Sequence, residues 1–202
     1  KGPDHEWHDQ VNARTGGGRG CPFCAGLRVS VTNALAVLHP RLAKDWHPTK
    51  NGTKTPWDFV ALSVKRVWWR CRKGPDHEWL AGIASRAYGT GCPCCSGHKV
   101  SVTNSLATRF PKVAAQWHPT RNGKLGPEDI VGGSNRRVWW QCPESRAHVW
   151  EASVKNRTRK ETGCPFCAGK KASAESSLRK RFPAIAREWH PSATAAAAVA
   201  GC

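Results

Sequence analysis

The stretch Val67-Trp68-Trp69-Arg70-Cys71, continued by Lys73-Gly74-Pro75-Asp76-His77-Glu78-Trp79 and closed by Cys92-Pro93-Cys94-Cys95, sets thiols and an imidazole around tryptophans. It recurs as Val138-Trp139-Trp140-Gln141-Cys142, His148-Val149-Trp150 and Cys164-Pro165-Phe166-Cys167. An earlier copy begins part-way through, with Lys1-Gly2-Pro3-Asp4-His5-Glu6-Trp7 and Cys21-Pro22-Phe23-Cys24. The knuckle cysteines repeat in register: Cys21 to Cys92 is 71 positions and Cys92 to Cys164 is 72. A period of this length with metal-type spacing specifies tandem mini-domains rather than one large core.

The ligand arithmetic is C-x5-H-x14-C-x2-C for Cys71, His77, Cys92 and Cys95, and C-x5-H-x15-C-x2-C for Cys142, His148, Cys164 and Cys167. A Cys-x2-Cys pair grips one ion from a tight turn, and the distal Cys and His close the tetrahedron. Three thiolates and one imidazole form a closed structural zinc set with no open position for water. Such a site folds its domain rather than hydrolysing a substrate. The first copy offers His5, Cys21 and Cys24; Lys1 aligns with Lys73, so the cysteine matching Cys71 falls ahead of Lys1. Up to three Zn²⁺ are therefore expected. Disulfides would ignore the recurring histidine and the tight knuckles. Cys94 stands where the other copies have Phe23 and Phe166 and is read as a packing residue, not a ligand; Cys202 matches nothing.

A second element lies between the metal motifs: Ser30-Val31-Thr32-Asn33-Ala34-Leu35, then His39-Pro40, then Asp45-Trp46-His47-Pro48. It returns at Ser101 to Pro119 and again at Ser173 to Pro191. Asn33 and Asn104 are expected to N-cap a short helix, with Pro40 and Pro111 opening the next. Leu35, Leu38, Leu42 and Trp46 are expected to form one apolar stripe. Residues 65–71 and 136–142 are β-prone, with hairpin partners at 77–83 and 148–154. The fold class is thus small zinc-stabilised α+β repeats, each a β-hairpin plus Cys-Pro-x-Cys knuckle and a short helical pair. The expected units are 1–64, 65–135 and 136–191, followed by an alanine-rich tail at 192–202.

Units this small lack the aliphatic bulk for a self-sufficient core, and eleven tryptophans against one tyrosine and no methionine supply it in aromatic form. The formal net charge of +18 favours a polyanion, nucleic acid first and an anionic membrane surface second. No apolar run reaches the length of a membrane span. The chain opens inside a repeat without Met, which reads as a fragment or processed product. Any targeting peptide would then lie upstream, leaving the compartment open within an intracellular setting, mitochondrion included.

Basic residues recur at matched places. Arg14, Arg86 and Arg157 follow the hairpin tryptophan by seven positions; Lys65-Arg66 and Arg136-Arg137 precede the tryptophan pair; Arg28, Lys99 and Lys171 follow the knuckle. Such rows are expected to contact phosphates. Most tryptophans are assigned to the core, and of adjacent Trp68 and Trp69 one faces inward and the other outward. No recognition helix for a major groove is evident, so RNA is favoured over DNA, in a ribonucleoprotein such as a ribosome with other proteins as neighbours.

The Trp-Trp-x-Cys, His-x-Trp, downstream Arg, Cys-Pro-x-Cys, Asn-x-Leu and Trp-His-Pro pattern resembles a family of repeated zinc-ribbon or treble-clef-like domains of largely unknown function. The resemblance implies zinc-stabilised units suspected of binding nucleic acid, sometimes beside nuclease domains. A nuclease reading would use His47 with Asn51 and His118 with Asn122, but position 194 of the third copy is Thr, and no recurring carboxylate pair holds a hydrolytic metal. The histidines are read instead as helix-end residues. The expected function is non-enzymatic nucleic-acid binding, with a DNA or nuclease-associated module and a protein-interaction scaffold as alternatives.

Overall fold

The computed structural model describes residues 2–189, so His190, Pro191, Thr194, the alanine-rich tail and Cys202 lie outside the described residues. Two compact units divide the chain at Lys99 and Val100.

In the first unit, α1 (Val11–Thr15) precedes the first knuckle, and α2 (Leu35–Leu38) and α3 (Pro40–Ala43) follow it. Strands β1 (Arg66–Arg70) and β2 (Glu78–Gly82) then form an antiparallel hairpin, and α4 (Ile83–Ala87) leads to the second knuckle. The second unit repeats this with α5 (Leu106–Arg109), α6 (Pro111–Ala114), β3 (Arg137–Gln141), β4 (Val149–Ser153) and α7 (Val154–Arg159). It ends with α8 (Leu178–Arg181) and α9 (Pro183–Arg187).

Hairpin register follows from the alternation of side chains along a strand. Val67 and Trp69 point inward and are buried, while Trp68 is half-buried on the other face. Trp69 pairs across the ladder with Trp79, and Trp140 with Trp150, giving each unit an aromatic cross-strand pair at its centre. Leu35, Ala61, Val67, Trp69, Trp79, Ile83, Cys92 and Cys94 make one core; Leu106, Ile130, Val138, Trp140, Trp150 and Val154 belong to the other.

These cores join each helical pair to the hairpin that follows it, and the boundaries expected at 64/65 and 135/136 fall inside them. Backbone bonds secure the same junction: His47 N–H donates to Trp68 O at 3.1 Å and Arg70 N–H to Asp45 O at 2.7 Å. The third helical pair has no following hairpin among the described residues, and its Leu178, Phe182, Ile185 and Trp189 are exposed. Their register equivalents Leu106, Phe110, Val113 and Trp117 pack into the second unit's core.

Three local expectations are corrected. The chain bends at His39 (φ −134°, ψ 64°), so helices α2 and α3 are rotated apart and Leu38 is exposed instead of sharing a stripe with Leu35. Asn33 is not an N-cap: its Oδ1 accepts from Ser30 N–H at 2.7 Å, and its Nδ2 donates to Phe23 O and Arg28 O of the knuckle. Asn104 likewise accepts from Ser101 N–H, and Ser105 caps α5 by accepting from Thr108 N–H. Trp46 lies beyond the helix, in an isolated antiparallel bridge to Trp69.

Candidate metal centre

Each hairpin carries one cysteine at the end of its first strand and a histidine at the start of its second. Cys71 N–H donates to His77 O at 2.9 Å, and Cys142 N–H to His148 O at 3.0 Å, fixing both ligands on one turn. The knuckle supplies the other two. Its geometry is a tight turn in which Ala25 N–H reaches Cys21 O and Leu27 N–H reaches Pro22 O. Gly26, Gly97 and Gly169 close the three knuckles with φ near +70°, a conformation glycine adopts without penalty.

The donor atoms converge. Cys71 Sγ lies 3.7 Å from Cys95 Sγ, and His77 Nδ1 lies 3.7 and 3.6 Å from Cys92 and Cys95 Sγ. In the second unit Cys142 and Cys167 are 3.6 Å apart, and His148 Nδ1 is 3.7 and 3.5 Å from Cys164 and Cys167. A tetrahedron with Zn–S of about 2.3 Å and Zn–N of about 2.0–2.1 Å has edges of about 3.8 Å between sulfurs and about 3.6 Å between sulfur and nitrogen. The donor set therefore fits Zn²⁺. His5, Cys21 and Cys24 form a third group, with Nδ1 at 3.6 and 3.5 Å from the two sulfurs.

Without a cation the second knuckle thiol of each four-ligand set resists ionising. Burial, then the bond to Cys71, pushes the Cys95 thiol up to about 12; the bond to Cys142, then burial, takes Cys167 up to about 12. A divalent ion reverses this by neutralising the thiolates, coupling metal uptake to folding.

His5 is oriented from outside the ligand set. His5 Nε2 sits 3.2 Å from Ser30 Oγ and 3.0 Å from Thr32 Oγ1, leaving Nδ1 for the metal. The recurring Ser-x-Thr was legible in the sequence only as a repeated element, and its place behind a ligand was missed. Its third copy carries Glu175 instead, with Oε2 4.0 Å from His148 Nε2. Phe23 and Phe166 stack on ligands His5 and His148 at 5.0 and 4.9 Å. Cys94, at the same register, is buried in the core and stands outside the ligand group.

The basic rows divide. Arg86 and Arg157 are corrected from phosphate contacts to core residues, 6% and 4% exposed. The Arg86 guanidinium lies between the rings of Trp69 and Trp79, at 5.1 and 5.2 Å. It donates to Asp45 Oδ2 at 2.7 Å and to Thr90 O at 2.5 Å. Arg157 repeats this between Trp140 and Trp150, donating to Gln116 Oε1 and Thr162 O. A planar cation with a long apolar stem fills a small aromatic core and still finds acceptors at its edge. Arg14 stacks on Trp7 at 5.4 Å but remains exposed. Arg28, Lys65, Arg66, Lys99, Arg136, Arg137 and Lys171 are exposed.

His47 and Asn51 also have defined work. His47 Nδ1 accepts from Thr49 N–H and Lys50 N–H at 3.2 and 3.1 Å, and its Nε2 meets Glu78 Oε1 at 3.0 Å. It therefore braces the turn after the helix instead of capping the helix's last carbonyls. Asn51 grips the strand, accepting from Trp68 N–H at 2.8 Å and donating to Trp68 O at 2.9 Å. His118 repeats the Nδ1 brace, with Val149 in place of Glu78, and Asn122 repeats the grip on the strand.

No curated protein matches the chain. A family profile described as a probable treble clef zinc finger domain matches residues 42–98 and 113–170, each spanning a hairpin, its ligands and its knuckle. With both four-ligand sets inside the matched segments, the chain belongs to this treble clef zinc finger family.

Proposed function

We propose that this chain is a non-enzymatic, zinc-built nucleic-acid-binding protein, and that it serves as an RNA-binding structural component of a ribonucleoprotein. The observation that carries the reading is a matched pair of surfaces. Lys65-Arg66 and Arg136-Arg137 stay exposed at the start of equivalent strands, each beside an outward, half-buried tryptophan. Lys50 lies over Trp68 at 4.7 Å and Arg121 over Trp139 at 5.0 Å. In the first unit an open groove of about 460 Å³ gathers Lys50, Lys54, Lys65, Arg66 and Trp68. Cations beside an aromatic face suit a phosphate backbone with a base stacked alongside. Shape and backbone recognition of this kind favours folded RNA over sequence reading in a DNA major groove.

The non-enzymatic part rests on side chains already engaged. The histidine and asparagine of the Trp-His-Pro element hold a turn and a strand, and the zinc sets of the two hairpins are filled by protein ligands. A hydrolytic site needs an open metal position or a free base.

Ultraviolet cross-linking in native extract, followed by sequencing of attached nucleic acid, tests the proposal. Recovery of a structured RNA is expected. Recovery of DNA would transfer the reading to a DNA-associated module, and no nucleic acid above background would leave a protein-interaction scaffold.

A further inference from the structure

A second groove of the first unit lies apart from the matched rows at Arg14, Arg86 and Arg157, at Lys65-Arg66 and Arg136-Arg137, and at Arg28, Lys99 and Lys171. It has a volume of about 620 Å³ and runs between the end of the helical pair and the metal-bearing loop. Its lining includes Lys44, Arg70, Arg72 and Lys73 together with Trp46, and no carboxylate. All four cations are exposed. The backbone bond from Arg70 N–H to Asp45 O holds the Lys44 and Arg70 sides of the groove together.

The second unit offers an internal control. At a register shift of 71 the same positions read Ala115, Gln141, Pro143 and Glu144, with Arg146 in place of Pro75. Four positive charges become a balance of one acid and one base. A simple account would make the four cations counterions for the zinc set, whose three thiolates exceed the metal by one charge. That account fails, because the second unit has the same ligand set without those cations. Nor does the fold require them, since the equivalent hairpin forms with the same register.

We infer that this groove is a phosphodiester-binding site peculiar to the first unit, where Lys44, Arg70, Arg72 and Lys73 grip the backbone of a nucleic acid. The inference rests on the nucleic-acid reading above and makes the two units unequal within it. The first unit anchors the backbone strongly, and the second adds weaker contacts at Arg136 and Arg137. Clustered cations at one groove release counterions together, so the site governs the salt dependence of binding.

The test grafts one unit's residues onto the other in the zinc-loaded full chain. The triple variant Lys44→Ala, Arg70→Gln and Lys73→Glu gives the first groove the second unit's residues at three of the four positions and keeps Arg72. Binding of a fluorescein-labelled RNA stem-loop is followed by anisotropy across a salt series. The slope of log affinity against log salt is expected to become shallower by about 2 to 3, one step for each lost contact. The reverse graft, Ala115→Lys, Gln141→Arg and Glu144→Lys, is expected to steepen it. Zinc content and unfolding midpoint of each variant serve as folding controls. Wild-type binding with unchanged slopes in both grafts would overturn the groove assignment alone. Absence of RNA binding by the wild-type chain would overturn the functional reading and the groove with it.

Discussion

Replacing Arg86 by Met separates a core role from a phosphate contact. Methionine keeps much of the apolar stem between Trp69 and Trp79 but removes the charge and both edge hydrogen bonds, to Asp45 and to Thr90 O. A hydrogen bond to a charged group contributes about 1.5–3 kcal/mol and a ring contact about 0.5–2 kcal/mol. Asp45 is 31% exposed and regains water once released, which offsets part of the loss. A net destabilisation of about 3 kcal/mol follows, a large share of what so small a unit possesses. In guanidinium denaturation followed by tryptophan fluorescence, the first unit's transition should fall by about 1 M or more. Arg86→Lys should recover little, because one ammonium cannot reach both acceptors while lying flat between two rings. Asp45→Asn should cost less than Arg86→Met, since the second unit manages with neutral Gln116 at that place. A change below about 1 kcal/mol for Arg86→Met, accompanied by a weaker and less salt-sensitive RNA complex, would refute the core assignment.

Chelation of the zinc-loaded chain should abolish the cooperative transitions of both units, and Cys92→Ala should lower bound zinc by one equivalent in elemental analysis. Cys94→Ala should leave that equivalent in place while lowering the first unit's midpoint, because its sulfur is buried in the core. Asn51→Ala should cost about 1–3 kcal/mol in the same denaturation assay by leaving the Trp68 N–H without its partner, while the Trp68 carbonyl keeps the His47 N–H. His118 is held below its ordinary value by burial and then by Arg121, so the unfolded chain takes up its proton more readily. Its contribution is complete above about pH 6.5 and is lost as the pH falls towards the folded-state value. The second unit's denaturation midpoint should therefore drop on acidification in the wild type and drop less in His118→Asn. Equal slopes in the two proteins would refute this.

How much of this was legible in the sequence depends on the kind of interaction. Ligand spacing was fully legible, because a tetrahedron demands particular residue types at short separations on either side of a turn. The hairpins were legible for the same reason: Val67, Trp68 and Trp69 alternate between faces, and the partner strand lies a few residues away. What could not be read was which partner each helical pair chooses. Leu35 lies closer in sequence to the knuckle before it than to the hairpin after it, and only packing against Ala61, Val67 and Ile83 decides for the hairpin. Asn33 misled because an amide before a helix can cap it or tie down a preceding turn. The knuckle carbonyls of Phe23 and Arg28 compete for its Nδ2.

The arginines show why recurrence is a poor guide to function in a repeat. Each copy of a small zinc unit must rebuild the same core, so a side chain fixed in register is first of all a candidate for that core. Arg86 and Arg157 meet the condition, each between two tryptophans with its acceptors at hand. His47 and Asn51 meet it too, as braces of a turn and a strand. A binding surface is under no such constraint, since a partner need touch only one copy. The change from Lys44, Arg70, Arg72 and Lys73 to Ala115, Gln141, Pro143 and Glu144 alters charge by five without altering the hairpin register. Positions free of the common core are those where the units can diverge in what they bind.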